Sequence, residues 1–345
     1  MIIKASKPKL VEAVAEIKPA LSDKPSVFPA ASGILITAGE SGVTFTATDL
    51  ETAIVFDADM EVSEAGSVLV PKDFIKLVPK LPDDEITLEY VDERELVIRY
   101  GKSHTSLKCL NASNYPSIPT VDNELMTINI SGPRVAFAAS TDDNRPIFTG
   151  VLLDFEKGFM VCTDTHRLAM ANIEKADLPS VIVPAKVIKK IDGEVQFSMS
   201  LNHVMFKRDR TTYISSILSG AFPNYQAVIP ADFTTVAEAK KDVLQEVMDR
   251  TSSFNKDGLP VKLNFHDNTL EVAVVNAEVG QINEVVEVAK DGIDVSIAFN
   301  NKYLAQVLPF LKKDDVKLHI LNPTSPAVIK EEGYTYLLLP IRMVA

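Results

Sequence analysis

A chain of 345 residues with 46% hydrophobic and 24% charged residues has the length for two or three domains with buried cores, and 14 Gly with 20 Pro exclude a collagen-like or disordered composition. Its 47 acidic against 35 basic residues leave a formal net charge of −12, which excludes a broadly basic surface for nucleic acid, and its two cysteines, Cys109 and Cys162, form no CxxC pair and so give no metal cluster or disulfide framework. No apolar run approaches the roughly 18 to 20 residues of a membrane span and Met1-Ile2-Ile3-Lys4 opens no signal-peptide pattern, so a cytoplasmic protein is expected.

The first segment opens with apolar residues at Leu10, Val14 and Ile17, the spacing of one helix face. Alternating pairs Ile34/Ile36 and Val43/Phe45 then predict strands, ending at Thr48-Asp49. Val70-Pro71 opens a short helical pattern, Lys72 to Pro79, and the alternation returns in Ile86/Leu88/Tyr90 with Leu96/Ile98/Tyr100 before Tyr115-Pro116 closes the segment. The second segment repeats this order. A helix is expected around Val135, strands at Val151/Leu153/Phe155 and Phe159/Val161 across the turn Glu156-Lys157-Gly158, then Thr163-Asp164. Val183-Pro184 opens a helix Ala185 to Ile191, and Val195/Phe197/Met199 with Val204/Phe206 lead to Phe222-Pro223. In the third, Val243/Leu244 and Val247/Met248 predict a helix. Val261/Leu263/Phe265 and Leu270/Val272/Val274 predict a hairpin across His266-Asp267-Asn268, Phe299-Asn300 opens a helix Asn301 to Lys312, and Val316/Leu318/Ile320 precede Val328.

A period of roughly 110 to 116 residues therefore runs through the chain, and it predicts three similar domains, 1–119, 120–232 and 233–345. The fold class is α+β: helices with one apolar face backed by antiparallel sheets, six helix-on-sheet units in all. Such units can set their helices along one concave surface, and head-to-tail contacts between two arcs can close a ring.

Asp164 and His166 suggest a carboxylate-held general base, and a hydrolase built on them is one reading. No Gly-x-Ser-x-Gly turn occurs, so no catalytic residue is assigned. No phosphate loop and no clustered His or Cys are present, so no cofactor and no metal are expected. Lysines on the second helix of each repeat, Lys72, Lys76 and Lys80, then Lys186, Lys189 and Lys190, then Lys302, Lys312 and Lys313, read singly as solvated helix faces. Repeated three times, they suggest one basic surface facing a polyanion inside an acidic exterior. The apolar run Tyr336 to Arg342 predicts a core strand, but Pro340 suits a sheet edge, and an exposed apolar edge invites a peptide.

Five phrases in order, Asn144-Arg145-Pro146-Ile147-Phe148-Thr149-Gly150, Thr163-Asp164-Thr165-His166-Arg167-Leu168-Ala169, Phe222-Pro223-Asn224-Tyr225, Phe299-Asn300-Asn301-Lys302-Tyr303-Leu304 and Leu339-Pro340-Ile341-Arg342, resemble the bacterial sliding clamps, the beta subunits of DNA polymerase III. The resemblance implies the DNA clamp fold: a head-to-tail homodimer whose six domains encircle double-stranded DNA without reading its sequence. It implies a non-catalytic processivity factor with the replicative polymerase, the clamp loader and other proteins carrying clamp-binding peptides as partners. It places the peptide pocket at Phe148, Thr163, His166, Arg167, Leu168, Pro223, Val228, Leu337, Leu339, Pro340, Ile341 and Arg342. DNA contacts fall at Lys24 and Lys72, with Lys76, Lys186, Lys189, Lys190 and Lys302 added by the helix argument, and dimer contacts at Leu107 and Phe254. A peptide-binding scaffold that does not encircle DNA is the other alternative. Phe148, Thr165 and Ala227 depart from the residues usual in the family at their positions, and Pro79 is unexpected in a helix lining a ring.

Overall fold

A computed structural model describes residues 1–21, 28–82, 85–254 and 259–342. Contact density divides the chain into two compact units, Met1–Ile128 with Glu194–Ile217, and Asn129–Gly193 with Leu218–Ala345. The middle repeat is thus shared between them. The sequence period counts copies of a motif, whereas contact density follows hydrogen-bonded sheets, and the sheets run across the repeats.

In the first unit, a five-stranded antiparallel sheet orders Glu61–Glu64, Ile2–Ser6, Glu85–Val91, Glu95–Tyr100 and Ser103–Lys108. A longer sheet of eight strands orders Met126–Ser131, Asp192–Met199, His203–Arg208, Thr211–Ser216, Thr52–Ala58, Gly42–Thr48, Ile34–Gly39 and Gly66–Val70. Its centre is the pairing of Thr211–Ser216 with Thr52–Ala58, in register from Thr211 opposite Phe56 to Ser215 opposite Thr52. In the second unit, nine strands run Val181–Pro184, Gly150–Asp154, Phe159–Thr163, Arg167–Asn172, Tyr334–Leu338, Ala327–Glu331, Asp315–Ile320, Thr235–Lys240 and Ala289–Gly292. Here Arg167–Asn172 pairs with Tyr334–Leu338, from Arg167 opposite Leu338 to Ala171 opposite Tyr334. A four-stranded sheet of Gly280–Glu287, Thr269–Asn276, Pro260–His266 and Val295–Asn300 completes it.

Strand Tyr334–Leu338 lies inside the nine-stranded sheet, with a partner on each side, which agrees with the core strand expected for the C-terminal run and corrects the edge that Pro340 suggested. Pro340 falls beyond the strand's last residue, so its missing N–H costs the ladder nothing.

The α-helices are α1 (Lys7–Ile17), α2 (Asp73–Leu77), α3 (Gly132–Ala136), α4 (Ala185–Ile188), α5 (Lys241–Ser252) and α6 (Asn301–Val307). Helix α1 buries Leu10, Ala13, Val14 and Ile17, and α5 buries Leu244, Val247, Met248 and Thr251, each on one face. The second helices are shorter than their patterns predict. Pro79 and Pro309 each sit at the start of a 3-10 turn, Val78–Lys80 and Leu308–Phe310, because proline has no N–H to continue the α-helical ladder. The expected stripe Lys72, Lys76 and Lys80 is broken accordingly: Lys72 precedes α2 and Lys80 lies in the 3-10 turn. Helix α4 stops at Ile188, leaving Lys189 and Lys190 in the turn that follows. That end meets the start of α3 closely. The Gly132 amide donates to Ile191 O at 3.1 Å, and a Cβ on Gly132 would stand 1.8 Å from Ile188 O, so only glycine fits.

Candidate functional site

The segment Thr163-Asp164-Thr165-His166-Arg167 joins two neighbouring strands of the nine-stranded sheet. Thr163 Oγ1 donates to Arg167 O at 2.6 Å and accepts from the Thr165 amide at 3.1 Å. Asp164 Oδ1 accepts from the amides of His166 at 2.9 Å and Arg167 at 3.1 Å. Thr and Asp are the side chains that satisfy backbone donors within a tight turn, and the turn holds Thr165 at φ 77°, a left-handed conformation that a β-branched residue rarely takes. The second oxygen, Asp164 Oδ2, receives Arg167 Nε at 3.0 Å.

Arg167 is 6% exposed. Besides Asp164 it donates to Gln306 Oε1 and to Phe137 O, and its Cζ lies 4.4 Å from the Tyr303 ring centroid and 5.3 Å from that of Phe137. A planar guanidinium suits such a place, because it donates in its plane and stacks on its faces. Burial raises the Tyr303 phenol above its ordinary range, and the Tyr336 hydroxyl donates to Tyr303 O at 2.9 Å. His166 is exposed, its ring 6.3 Å from Tyr303 and inclined by 21°. Asp164 is committed to Arg167 and to the turn amides, so the carboxylate–imidazole dyad of the hydrolase reading is not formed.

Beside this turn lies an apolar cavity of about 230 Å³ lined by Phe148, Thr163, Thr165, Arg167, Leu168, Pro223, Asn224, Tyr225, Val228, Leu337 and Leu339. Beneath it, Leu152, Val161, Leu168, Ile182, Tyr225, Val328 and Leu337 form a buried apolar cluster. Val228 is 49% exposed and Leu339 38%, so aliphatic surface stands open at the rim. Of the twelve residues expected in a pocket, eight line this cavity. His166, Pro340, Ile341 and Arg342 lie outside its lining, on the turn and on the tail past the last strand. That tail is pinned twice, by the Leu339 amide to His166 O at 2.9 Å and the Ile341 amide to Ala298 O at 2.7 Å.

Sequence reasoning noted Thr165 as a departure from the family but did not count it among the pocket residues, and it did not single out Asn224, Tyr225 or Tyr303, although all four stand in the phrases that carry the resemblance. Phe137 and Gln306 carry no such signal: a backbone carbonyl and a helix-surface amide become binding groups only once Arg167 is brought to them.

The lysines are more dispersed. Lys72 is half-buried at the start of α2, and Lys76 is exposed with its ammonium 3.7 Å from Asp73. Lys186 is half-buried on α4, while Lys189, Lys190 and Lys302 are exposed. Lys24 lies outside the described residues. Leu107 is half-buried on Ser103–Lys108, the last strand of the five-stranded sheet, and Phe254 follows α5 with its carbonyl accepting from Asn276 Nδ2 at 3.0 Å. Among the described residues no group of three or more His, Cys, Asp or Glu is placed to hold a metal ion, and no helix is long and apolar enough to cross a membrane.

Family models of the N-terminal, central and C-terminal domains of the DNA polymerase III beta subunit match residues 1–119, 121–224 and 226–342. The chain is 27% identical to the beta sliding clamp of Staphylococcus aureus, over 92% of this chain and 93% of that one. Among solved structures it is similar to the DNA polymerase sliding clamp of Bacillus subtilis, with a TM-score of 0.85, 26% identity and 100% of both chains covered. A sliding clamp of Bartonella birtlesii bound to griselimycin gives a TM-score of 0.86 and 25% identity, over 99% of this chain and 100% of that one.

Proposed function

This chain belongs to the DNA polymerase III beta-subunit family, the non-catalytic sliding clamps that serve as processivity factors in DNA replication, and from that premise we propose that two copies join head to tail around duplex DNA. The ordered succession of the three domain matches carries this reading. A shut ring holds DNA by topology, so residence outlasts any single phosphate contact, and weak contacts leave the ring free to slide. The charge of −12 fits such a role, because close electrostatic adhesion would oppose movement along a polyanion. The cations offered to DNA are Lys24, Lys72, Lys76, Lys186, Lys189, Lys190 and Lys302, and Leu107 and Phe254 belong to the subunit contact. The three repeats are three domains, 1–119, 120–232 and 233–345, working in the cytoplasm.

The cavity beside the Thr163–Arg167 turn is the docking site for peptide segments of the polymerase, the clamp loader and other clamp-binding proteins. Aliphatic and aromatic walls desolvate an apolar side chain, while His166 and the tail through Arg342 border the path of the peptide backbone. Griselimycin is expected in the same place. Light scattering should give a mass near twice 37.7 kDa, and a monomer at all concentrations would reject the ring. Calorimetry with griselimycin should give saturable binding that Val228→Asp abolishes; binding that survives the substitution would move the site elsewhere.

A further inference from the structure

We infer that Asp154 is a positioning residue for the peptide groove, acting through the hydroxyl of Tyr225. This rests on the groove being the peptide site. The wall formed by Pro223, Asn224 and Val228 belongs to a segment with one 3-10 turn, Gln226–Val228, and no strand. Tyr225 is the buried member of that wall, 4% exposed and packed in the apolar cluster under the cavity, with its hydroxyl donating to Asp154 Oδ2 at 2.9 Å.

Asp154 is itself 5% exposed, at the end of strand Gly150–Asp154 in the nine-stranded sheet. Its other oxygen accepts from Ser180 Oγ and from the Lys157 amide, both at 3.2 Å, and the Lys157 ammonium stands 3.7 Å from Oδ2 and 5.2 Å from the Tyr225 ring centroid. The carboxylate is therefore fixed by the sheet and by its own hairpin, and it transmits that rigidity to a loop with little backbone hydrogen bonding. Burial and the adjacent carboxylate raise the Tyr225 phenol, so its hydroxyl stays a donor across the working pH range. A hydrogen bond to a buried charged acceptor is stronger than a neutral one, and its loss frees the ring to leave the position that shapes the groove.

The test is griselimycin affinity by calorimetry on the full-length protein, at a temperature where circular dichroism shows each variant folded. Tyr225→Phe keeps the ring and should weaken binding about fivefold to tenfold, mainly through faster dissociation. Asp154→Leu should match it, and the double variant should bind no worse than either single one, since both remove the same link. Asp154→Asn, which retains an acceptor, should restore affinity to within about twofold of the unmodified protein. A purely structural role would lower the melting temperature and leave these affinities alike. Affinity of Tyr225→Phe equal to that of the unmodified protein overturns the proposal, as do multiplicative losses in the double variant. If Asp154→Leu does not fold, Tyr225→Phe against Asp154→Asn decides. Griselimycin that fails to bind the unmodified protein, or binds Val228→Asp normally, overturns the groove reading itself; binding that passes both checks while Tyr225→Phe is unaffected overturns only the role of Asp154.

Discussion

The turn Thr48–Thr52 in the first unit and the turn Thr163–Arg167 in the second are built alike and put to different use. In the first, Thr48 Oγ1 donates to Thr52 O at 2.8 Å and accepts from the Leu50 amide at 3.0 Å, while Asp49 Oδ1 accepts from the amides of Glu51 at 3.2 Å and Thr52 at 2.8 Å. The third residue is left-handed in both, Leu50 at φ 75° and Thr165 at 77°. Each turn leads into a strand that pairs with a strand from the next repeat. The difference lies in the first two positions of that strand. Thr52 and Ala53 stand where Arg167 and Leu168 stand in the second unit, opposite Ser215 and Ile214 rather than Leu338 and Leu337. Arg167, Leu168 and Leu337 all line the apolar cavity, so the second joint borders a candidate site as well as joining two strands.

Substitutions at matched positions sharpen this contrast. Arg167→Ala should have the largest effect, a loss of about 3 to 5 kcal/mol in the stability of the second unit by denaturant titration, because it leaves Asp164 and two acceptors without their donor. Asp164→Ala should cost about 2 to 3 kcal/mol, since it removes the acceptor of two turn amides and the partner of the buried Arg167 guanidinium. A loss below about 1 kcal/mol would mean that Arg167 adds nothing to the turn. Glycine in place of Thr165 should stabilise by about 1 kcal/mol and in place of Leu50 by somewhat less, because the left-handed backbone is costlier for a β-branched residue. The smallest effect is expected at Thr52. Its buried hydroxyl has no hydrogen-bond partner among the described residues, so Thr52→Val should raise the melting point slightly, for a gain of about 0.5 to 1 kcal/mol. A fall would show that the hydroxyl is satisfied in solution.

The matching Thr-Asp pairs were legible in the sequence because the turn is local: side chain and backbone partners lie within four residues. Strands were legible for the same reason, through alternation. The pairings between repeats were not, since nothing in Thr211–Ser216 names Thr52–Ala58 as its neighbour. The C-terminal run was legible as a core strand, whereas the edge that Pro340 suggested is not formed, because the strand ends two residues before that proline. Helix lengths were overestimated wherever proline converted the last turn to 3-10 geometry. At the cavity, aliphatic walls could be carried over by position, whereas the Phe137 carbonyl, Gln306 and the Asp154–Tyr225 link depend on long-range packing that no spacing encodes.

The most direct measurement loads the protein onto a nicked circular DNA with a clamp loader, removes free protein, and compares retention before and after a single cut linearises the circle. Long retention on the circle and rapid loss from the cut ends is the predicted result. Equal retention on both would contradict encirclement and leave a peptide-binding scaffold that grips DNA from one side.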